Sequence, residues 1–275
     1  MKNTLYMINS STGGQMNSFV ITTEDGKTIV MDGGFYNDAD NLLAHLREIT
    51  GEAVPHVDAW FLSHPHRDHI PCFIEIMKDH AAEVTVERIY YNFPSHQYCA
   101  WEGQPHDCAL DLFMEALPLF ADRVEIVSCG DVYDIGNAHI EVLYAPSAEI
   151  RQKYINNASI ILMVTLAGKK ILFLGDAGEE EGDRCLALYA GTDKLKADYV
   201  QMAHHGQAGV KRNFYETVAP TACLWCTPAW LWNNDIGDGY NTYIWDSVTV
   251  QGWMEELGVR EHYVLKDGTH QIDFS

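Results

Sequence analysis

The sequence predicts an α/β protein in which two mixed β-sheets pack face to face beneath covering helices. Three observations support this fold class: short strand-like runs alternate with helical ones, several adjacent runs are joined as hairpins, and each half of the chain, roughly residues 1–140 and 141–275, contains strands followed by helices. Interleaved strands and helices with hairpins favour mixed sheets over a parallel barrel. No linker-like or low-complexity tract divides the chain, so we expect a single domain, 1–275, with two similar halves.

Apolar runs bounded by turn residues predict the strands of the first half, and periodic leucines and isoleucines predict its helices. The predicted strands are 5–8, 18–22, 28–31, 57–62, 84–91 and 124–127. Residues 24–27 predict a hairpin turn between the second and third of these. Helices are predicted over 40–49, from Pro71 through Met77, and over 107–117.

The second half repeats this alternation. Strands are predicted at 140–143, 160–166, 171–174, 199–203, 222–226, 263–265 and 271–274, and helices at 179–189 and 246–257. Gly168 and Lys169 predict a hairpin between the second and third of these strands. In the stretch 225–245, tryptophans and tyrosines are interrupted by polar residues and glycines, which predicts a long loop rather than core.

The charge balance limits the class of partner. The chain carries 39 acidic and 18 basic residues, a formal net charge of −21. Such a surface repels polyanions, and no basic stripe of the kind that grips a long nucleic acid is visible. We therefore expect a small-molecule substrate and no long nucleic acid partner. A small anionic substrate remains compatible, because bound divalent cations offset negative charge locally. The sequence does not indicate an oligomeric state.

Seven scattered cysteines, an odd number, argue against a disulfide framework. Cys223 and Cys226 have CxxC spacing inside an apolar run that predicts a buried strand, so they are interpreted as core residues. The N-terminal residues lack the continuous apolar region of a secretory signal, and no run is long enough to span a bilayer. These features predict a cytoplasmic protein without membrane contact.

The strongest chemical signal is the segment 64–69, His-Pro-His-Arg-Asp-His, which directly follows a predicted strand. Imidazole and carboxylate donors together suit zinc, manganese or iron rather than calcium. His64 and His66 are two residues apart on an extended exit, so their rings can point the same way. Asp68 and His69 lie in the following turn and can face a second ion. A single histidine is more often a hydrogen-bonded packing residue, but four ligand-type residues in six positions predict a metal site.

The string SHPHRDHI resembles the His-x-His-x-Asp-His signature of the metallo-β-lactamase superfamily. Asp32 in IVMDGG, Asp176 in KKILFLGDAG and His204 in DYVQMAHHGQ match other superfamily motifs in their order and in their position after strands. NNASIIL, GDAG and AHHGQ together are similar to the branch of ComEC-type competence metallo domains and phosphorylcholine esterases. The resemblance implies a four-layer αββα sandwich with its metals at one edge.

The same resemblance implies a binuclear metal-dependent hydrolase with two divalent ions, zinc first and manganese or iron as alternatives, and no organic cofactor. One ion would be held by His64, His66 and Asp176, and the other by Asp68, His69, Asp176 and His204. A hydroxide bridging the ions would be the nucleophile, formed near neutral pH. Asp32 would orient a ligand histidine or cap its glycine turn.

One ligand of the superfamily has no counterpart in this chain. Many members carry a further histidine between the first motif and the bridging aspartate, but His139 lies in a context that does not match. Asn156 or Asn157 falls near the expected position, and Asn157 is assigned behind the ligands or on the substrate side. The flavodiiron-type branch has glutamate at the second histidine of the motif, so His66 favours hydrolysis over redox chemistry.

Only one of His204 and His205 is expected to bind the second ion, because neighbouring residues of a strand point to opposite faces. The strand pattern alone does not decide which one. His204 is preferred as the ligand, since the superfamily's histidine is commonly followed by one residue and then glycine. His205 is then placed on the substrate side, where it would protonate the leaving group or bind a phosphate oxygen. Asp68 and His205 are accordingly the predicted catalytic residues.

A small phosphoester or phosphodiester is the first substrate hypothesis, because the branch resemblance implies it. Hydrolysis of a carboxyl ester, lactone or thioester at the same metal site is the alternative, and a non-catalytic binding module that retains the fold is a third interpretation. The aromatic stretch 225–245 is predicted to line the site, or else to pin a loop or a subunit contact. The segment 93–105 could form the opposite wall.

Overall fold

The computed structural model describes residues 1–102, 108–146 and 150–274. Its strands are β1 Asn3–Met7, β2 Ser18–Thr22, β3 Thr28–Asp32, β4 His56–Leu62, β5 Thr85–Tyr91, β6 Val124–Ile126, β7 Val132–Ile135, β8 Ala138–Tyr144, β9 Ile161–Leu166, β10 Lys169–Phe173, β11 Tyr199–Gln201, β12 Ala222–Trp225, β13 Glu261–Val264 and β14 His270–Phe274. Its helices are α1 Ala39–Thr50, α2 Pro71–Asp79, α3 His96–Glu102, α4 Leu110–Ala116, α5 Glu179–Leu188, α6 Arg212–Val218, α7 Ala229–Trp232 and α8 Ser247–Glu256. Among the described residues, none of the helices has the length and hydropathy that a bilayer crossing requires.

Sheet 1 has the strand order β14-β1-β2-β3-β4-β5-β6. The strands from β14 to β3 pair antiparallel, and those from β3 to β6 pair parallel. The predicted turn between β2 and β3 closes through the Gly26 N–H, which donates to the Thr23 carbonyl at 3.0 Å. Because β3 to β6 run in the same direction, their carboxyl ends lie at one edge of the sheet.

Sheet 2 has the strand order β13-β12-β11-β10-β9-β8-β7. The strands from β7 to β10 pair antiparallel, and those from β10 to β13 pair parallel. Each sheet therefore has an antiparallel part and a parallel part, and the parallel part supplies the strand ends that later form the site.

The two sheets enclose the central core. Phe19 of β2 packs edge-on against Phe173 of β10 with ring centroids 5.1 Å apart, and Phe274 of β14 contacts Tyr199 of β11 at 5.3 Å. Apolar side chains of α1, α2 and α4 cover the outer face of sheet 1, and those of α5, α6 and α8 cover sheet 2. The molecule is thus an αββα sandwich of two mixed sheets, which confirms the fold class predicted from sequence.

Four elements have no predicted counterpart: strand β7 and helices α3, α6 and α7. Each is four to seven residues long, and such a run contains too few periods for its apolar pattern to be recognised. The predicted helix 107–117 corresponds to α4, although Asp107 lies outside the described residues. Residues 103–105 of the segment 93–105, which was predicted as a possible wall of the site, also lie outside them.

The division of the chain near residue 140 differs from the arrangement of the sheets. β7 and β8 begin before that residue and belong to sheet 2, whereas β14, from the end of the chain, belongs to sheet 1. β14 pairs with β1 along its whole length, from Asn3 opposite Phe274 to Met7 opposite His270. The last residues therefore complete the first sheet.

A disulfide joins Cys99 of α3 to Cys108, and the other five cysteines are free. The two cysteines are nine residues apart, a separation that by itself carries no pairing signal. Cys223 and Cys226 are free and fully buried, as predicted. A cytoplasmic location stays a prediction.

The position of β14, which pairs with β1 in sheet 1 and packs against sheet 2, leads to a first prediction. Phe274→Ala should lower the free energy of unfolding by about 3 kcal/mol, because it removes a buried ring that packs against the opposite sheet. Urea denaturation measures the change, with Leu119→Ala as the control, since Leu119 is 55% exposed and should change stability by less than about 0.5 kcal/mol. Equal stabilities of the two variants would show that β14 does not contribute to the cooperative fold.

Candidate metal centre

The candidate site lies at the carboxyl ends of four strands, two from the parallel part of each sheet. In sheet 1, β3 ends at Asp32 and β4 leads into the segment 64–69. In sheet 2, β10 leads to Asp176, and β11 leads to the adjacent His204 and His205. These exits bring together side chains as far apart in the sequence as Asp32 and His205.

The first group of potential ligand atoms comes from His64, His66 and Asp176, all within 4.8 Å of one another. His64 Nε2 lies 3.1 Å from His66 Nδ1 and 3.7 Å from Asp176 Oδ2. His64 and Asp176 are almost completely buried, whereas His66 is partly exposed. These are the three residues that the resemblance assigned to the first ion.

The second group comes from Asp68, His69 and His205, also within 4.8 Å of one another. His205 Nε2 lies 3.2 Å from Asp68 Oδ2 and 3.6 Å from Asp176 Oδ1. His69 Nε2 lies 3.1 Å from the same oxygen of Asp176. Oδ2 of Asp176 therefore faces the first group and Oδ1 the second, so this carboxylate lies between the two.

These donors fit divalent metal ions. His69 Nε2, His205 Nε2 and Asp176 Oδ1 are buried and form no hydrogen bond, although polar atoms in a protein interior are nearly always paired. Ligand atoms about 2.0–2.2 Å from a tetrahedral zinc ion lie roughly 3.3–3.6 Å apart, which is close to the separations observed here. A cation coordinated by these atoms would satisfy all three.

Each histidine of the second group forms a hydrogen bond through Nδ1, the ring nitrogen that faces away from Asp176. His69 Nδ1 donates to Asp32 Oδ2 at 2.7 Å, and His205 Nδ1 donates to the carbonyl of Cys226 at 3.0 Å. In a neutral imidazole this leaves the lone pair on Nε2, which in both rings points towards Asp176. Such outer contacts fix the tautomer and orientation that a metal ligand requires.

Asp32 lies behind the histidines, where the sequence placed it. One of its oxygens accepts the Ser63 N–H at 2.7 Å, and the other accepts the Ser63 hydroxyl at 2.6 Å and the amide of Asn17 at 2.8 Å. Its carboxylate is 1% exposed. Asp32 thus both orients His69 and fixes the backbone where β4 enters the 64–69 segment.

Two serine hydroxyls contact the ligands from behind. Ser63 Oγ and Ser159 Oγ lie 3.1 Å and 3.3 Å from His64 Nδ1, and Ser159 Oγ also accepts the Asp176 N–H at 3.0 Å. Gly175 passes between them with φ of 53°, and a Cβ there would lie 2.8 Å from Ser159 Oγ. Sequence reasoning missed both serines, whose only signal is their position next to a motif residue.

Burial and charge divide the histidines into two classes. Burial lowers the pKa of His64 well below its ordinary value and that of His66 to about 4. Burial also opposes charge on His69 and His205, but Asp176 together with Asp32 beside His69 and Asp68 beside His205 outweighs it and raises the pKa of both. Conversely, the surrounding histidines together overcome the effect of burial and hold the pKa of Asp176 well below its usual range.

His205, and not His204, stands with Asp68 and His69, which differs from the assignment made from sequence. β11 has ended at Gln201, and His204 and His205 have φ of 51° and 56° in a left-handed turn. The alternation of faces expected in a strand therefore does not apply. Gly206 continues the turn at φ of 78°, and a Cβ on it would lie 2.4 Å from the ring of Trp225. This turn carries both rings to the site.

His204 lies at the border of the first group. Its Nε2 is 3.8 Å from Asp176 Oδ2, and its side chain is 20% exposed, whereas that of His205 is fully buried. Burial lowers the pKa of His204. The buried ring of His205 therefore lies where the metal ligand was predicted, and the more exposed ring of His204 lies on the side predicted for the substrate.

The two asparagines also differ from expectation. Asn157 points away from the site, donating to the Gln152 carbonyl at 2.6 Å and accepting the Glu181 N–H at 2.9 Å. Asn156 faces the site instead, with Nδ2 3.5 Å from His204 Nε2 and a buried Oδ1 that has no hydrogen-bond partner. His139 is remote from the site and pairs with Asp134 on β7.

A cleft of about 330 Å³ opens over these residues. It is lined by Gln15, His66, Arg67, Asp68, Glu102, Lys153, Asn156, Asp176 and His204. Gln15 Nε2 donates to Asp68 Oδ2 at 2.6 Å, so the cleft reaches the second group as well as the first. Among the segments predicted as walls, 93–105 contributes Glu102.

The aromatic stretch 225–245 contributes none of the described residues that line the cleft. Trp225 is fully buried and stacks edge-on against Trp232 at 5.1 Å. Trp230 packs against Trp245 at 5.0 Å and donates to the Gly13 carbonyl at 3.1 Å. These rings pin the loop to the core and to the N-terminal segment, which is the alternative that the sequence left open.

Glu181, on the first turn of α5, is a buried acid that sequence reasoning did not select. It is 0% exposed, and neither carboxyl oxygen has a hydrogen-bond partner. Burial, with the nearby charge of Asp176, raises its pKa well above the ordinary value.

Comparisons with known proteins agree with this architecture. Residues 11–98 match the model of the metallo-beta-lactamase superfamily, a range that includes Asp32 and the 64–69 segment. The metallo-beta-lactamase fold protein YhfI from Bacillus subtilis aligns with a TM-score of 0.59 at 10% identity, over 98% of this chain and 99% of YhfI. The chain has the metallo-beta-lactamase fold.

A second similar structure is CmlA, a diiron β-hydroxylase from Streptomyces venezuelae, with a TM-score of 0.58 at 11% identity. The alignment covers 99% of this chain but 54% of CmlA, so the chain spans about half the length of that protein. At such identity the likeness concerns the fold alone. No curated protein is significantly similar to this sequence.

The exchanged positions of the two histidines can be tested directly. His205→Ala should lower the metal content by about one ion per chain, because it removes an enclosed donor of the second group. His204→Ala should retain the metal content and lower turnover instead, because its ring lies in the cleft. Elemental analysis of the two purified variants, matched at adjacent positions, gives the comparison. Loss of metal from His204→Ala alone would restore the assignment made from sequence.

Proposed function

We propose that this chain is a binuclear metal-dependent hydrolase that acts on a small phosphoester or phosphodiester. The observation that carries the proposal is the pair of donor groups that share Asp176 at the floor of an open cleft. His64, His66 and Asp176 would hold one ion, with Asn156 Oδ1 beside them. Asp68, His69, His205 and Asp176 would hold the other. Zinc is the first candidate, because these nitrogen and oxygen donors suit it.

Two bound divalent ions would supply Lewis-acid stabilisation of the developing oxyanion and would lower the pKa of a coordinated water. The protein supplies the orientation. Asp32 and the Cys226 carbonyl fix the rings of His69 and His205, and burial around the donors excludes competing solvent. His204, whose Nε2 faces the cleft, is positioned to exchange a proton with the substrate.

The cleft itself favours an anionic substrate. Arg67 and Lys153 line it, and the amides of Gln15 and Asn156 add neutral polar groups. These two cationic side chains offset the negative charge of Glu102, which also lines the cleft. A phosphate group between the metals and these cations would be compensated on several sides. The sequence similarity to the branch of ComEC-type domains and phosphorylcholine esterases also supports a phosphoester.

Other reactions make different demands on the site. A carboxyl ester, lactone or thioester would use the same ions but has less need of Arg67 and Lys153. A diiron oxygenation of the kind named for CmlA would require iron. A pure binding module would not need two complete donor groups converging on one buried carboxylate. Metal identity and substrate preference therefore separate the possibilities.

The central prediction concerns metal content and activity together. The purified protein should contain about two metal ions per chain, and it should hydrolyse bis(p-nitrophenyl) phosphate faster than p-nitrophenyl acetate in the presence of zinc or manganese. Elemental analysis and absorbance of released nitrophenolate measure the two quantities, with chelator-treated protein as the control. Two iron ions without hydrolysis would point to redox chemistry, and faster cleavage of the acetate would favour the carboxyl-ester alternative.

The position of Lys153 in the cleft leads to a separate prediction. Lys153→Ala should raise the KM for a phosphodiester by roughly tenfold, the effect of losing one charge-assisted contact, with a smaller change in kcat. Lys169→Ala is the matched control, because Lys169 lies at the start of β10, at the opposite end of that strand from Asp176. Steady-state kinetics of both variants decide the point. Equal KM values for Lys153→Ala and the wild type would remove Lys153 from substrate binding.

A further inference from the structure

An apolar groove adjoins the metal cleft. It encloses about 390 Å³ and is lined chiefly by Phe35, Tyr36, Pro71, Ile74 and Leu112. Two of these side chains are strongly exposed, Tyr36 at 60% and Leu112 at 50%. Exposed apolar side chains that line a concave surface indicate a binding site more strongly than scattered ones do.

Arg67 connects the groove to the cleft. Arg67 lines both cavities, and in the sequence it stands between His66 and Asp68. The apolar groove and the metal cleft therefore adjoin at this residue. The two volumes, about 330 Å³ and 390 Å³, together fall in the range of pockets for small organic ligands.

The charged residues of the groove do not favour a highly charged occupant. Besides Arg67, the charged residues that line it are Glu75 and Lys78, which carry opposite signs. The cleft, in contrast, contains the metal donors with Arg67 and Lys153. The polarity of the combined surface thus changes from charged to apolar along one direction.

We propose that the substrate is an anionic amphiphile, a phosphoester whose alkyl, acyl or aryl group occupies this groove while its phosphate lies in the metal cleft. The proposal rests on the proposed function for the position of the phosphate. The groove adjoins the metal cleft at Arg67, and this position favours an extension of the substrate over a separate protein partner, which would not need to lie next to the metal site. Leu112, Phe35 and Ile74 then determine which chain lengths are accepted.

Binding of n-alkylphosphonates tests the proposal without requiring turnover. Methyl-, butyl- and hexylphosphonate are titrated calorimetrically into the metal-containing protein, below their micellar concentrations. Each buried methylene should lower Kd by about threefold, so butylphosphonate should bind at least tenfold more tightly than methylphosphonate. The same series is measured with Leu112→Asn and with the control Leu119→Asn. Leu119 is similarly exposed, at 55%, and does not line the groove.

The gain in affinity with chain length should disappear in Leu112→Asn and persist in Leu119→Asn, with circular dichroism showing that both variants are folded. A Kd that is independent of chain length in the wild type would overturn the proposal, and so would an unchanged gain in Leu112→Asn. If chain-length-dependent binding were found but bis(p-nitrophenyl) phosphate were not cleaved, the groove would stand and the proposed hydrolysis would fail.

Discussion

Four imidazole rings surround the buried carboxylate of Asp176. The Nε2 atoms of His69, His205, His64 and His204 lie 3.1, 3.6, 3.7 and 3.8 Å from its two oxygens. Transferring an isolated carboxylate into a protein interior costs several kcal/mol unless opposite charge or hydrogen-bond donors compensate it. Asp176 follows β10, whereas the histidines follow β4 and β11. Because β4 belongs to sheet 1 and the other two strands belong to sheet 2, this compensation requires the strand ends of both sheets to lie close together. The shared carboxylate thus constrains how the two sheets pack against each other.

The contacts behind the site connect the same two parts of the chain. The Ile160 N–H donates to the Ser63 carbonyl at 3.0 Å, while the hydroxyls of Ser63 and Ser159 approach one nitrogen of His64 from either side. Asp32 fixes Ser63, and Ser159 fixes the backbone of Asp176. Displacing either sheet would therefore move a ligand and its outer contact together. This coupling accounts for the burial of so many polar groups around a site whose floor has to remain rigid.

The sequence predicted most strands, the longer helices and the segment 64–69, because periodic apolar patterns and closely spaced ligand residues are local signals. The structure differs from the expectations where the outcome depends on backbone geometry or on distant packing. The order of His204 and His205 follows from a left-handed turn after β11, which a strand rule cannot anticipate. Which of Asn156 and Asn157 faces the site depends on the first turn of α5, where the Glu181 N–H donates to the side chain of Asn157. The pairing of Cys99 with Cys108 and the return of β14 to sheet 1 are likewise set by the tertiary fold.

The distribution of charge places the remaining constraint on what the site can accept. Most of the surface field is negative, with a formal net charge of −21, and by itself would keep anions away. Two bound divalent cations would reverse that field locally, and Arg67 and Lys153 extend the reversal along the cleft. Because Debye screening confines such effects to about 8–10 Å, an anion would be attracted only once it is close to the cleft. A compact phosphate attached to an uncharged body satisfies this condition, whereas a polyanion would carry further negative charges over the acidic surface around it. The distribution of charge therefore favours the proposed substrate with one small anionic group over a polyanion.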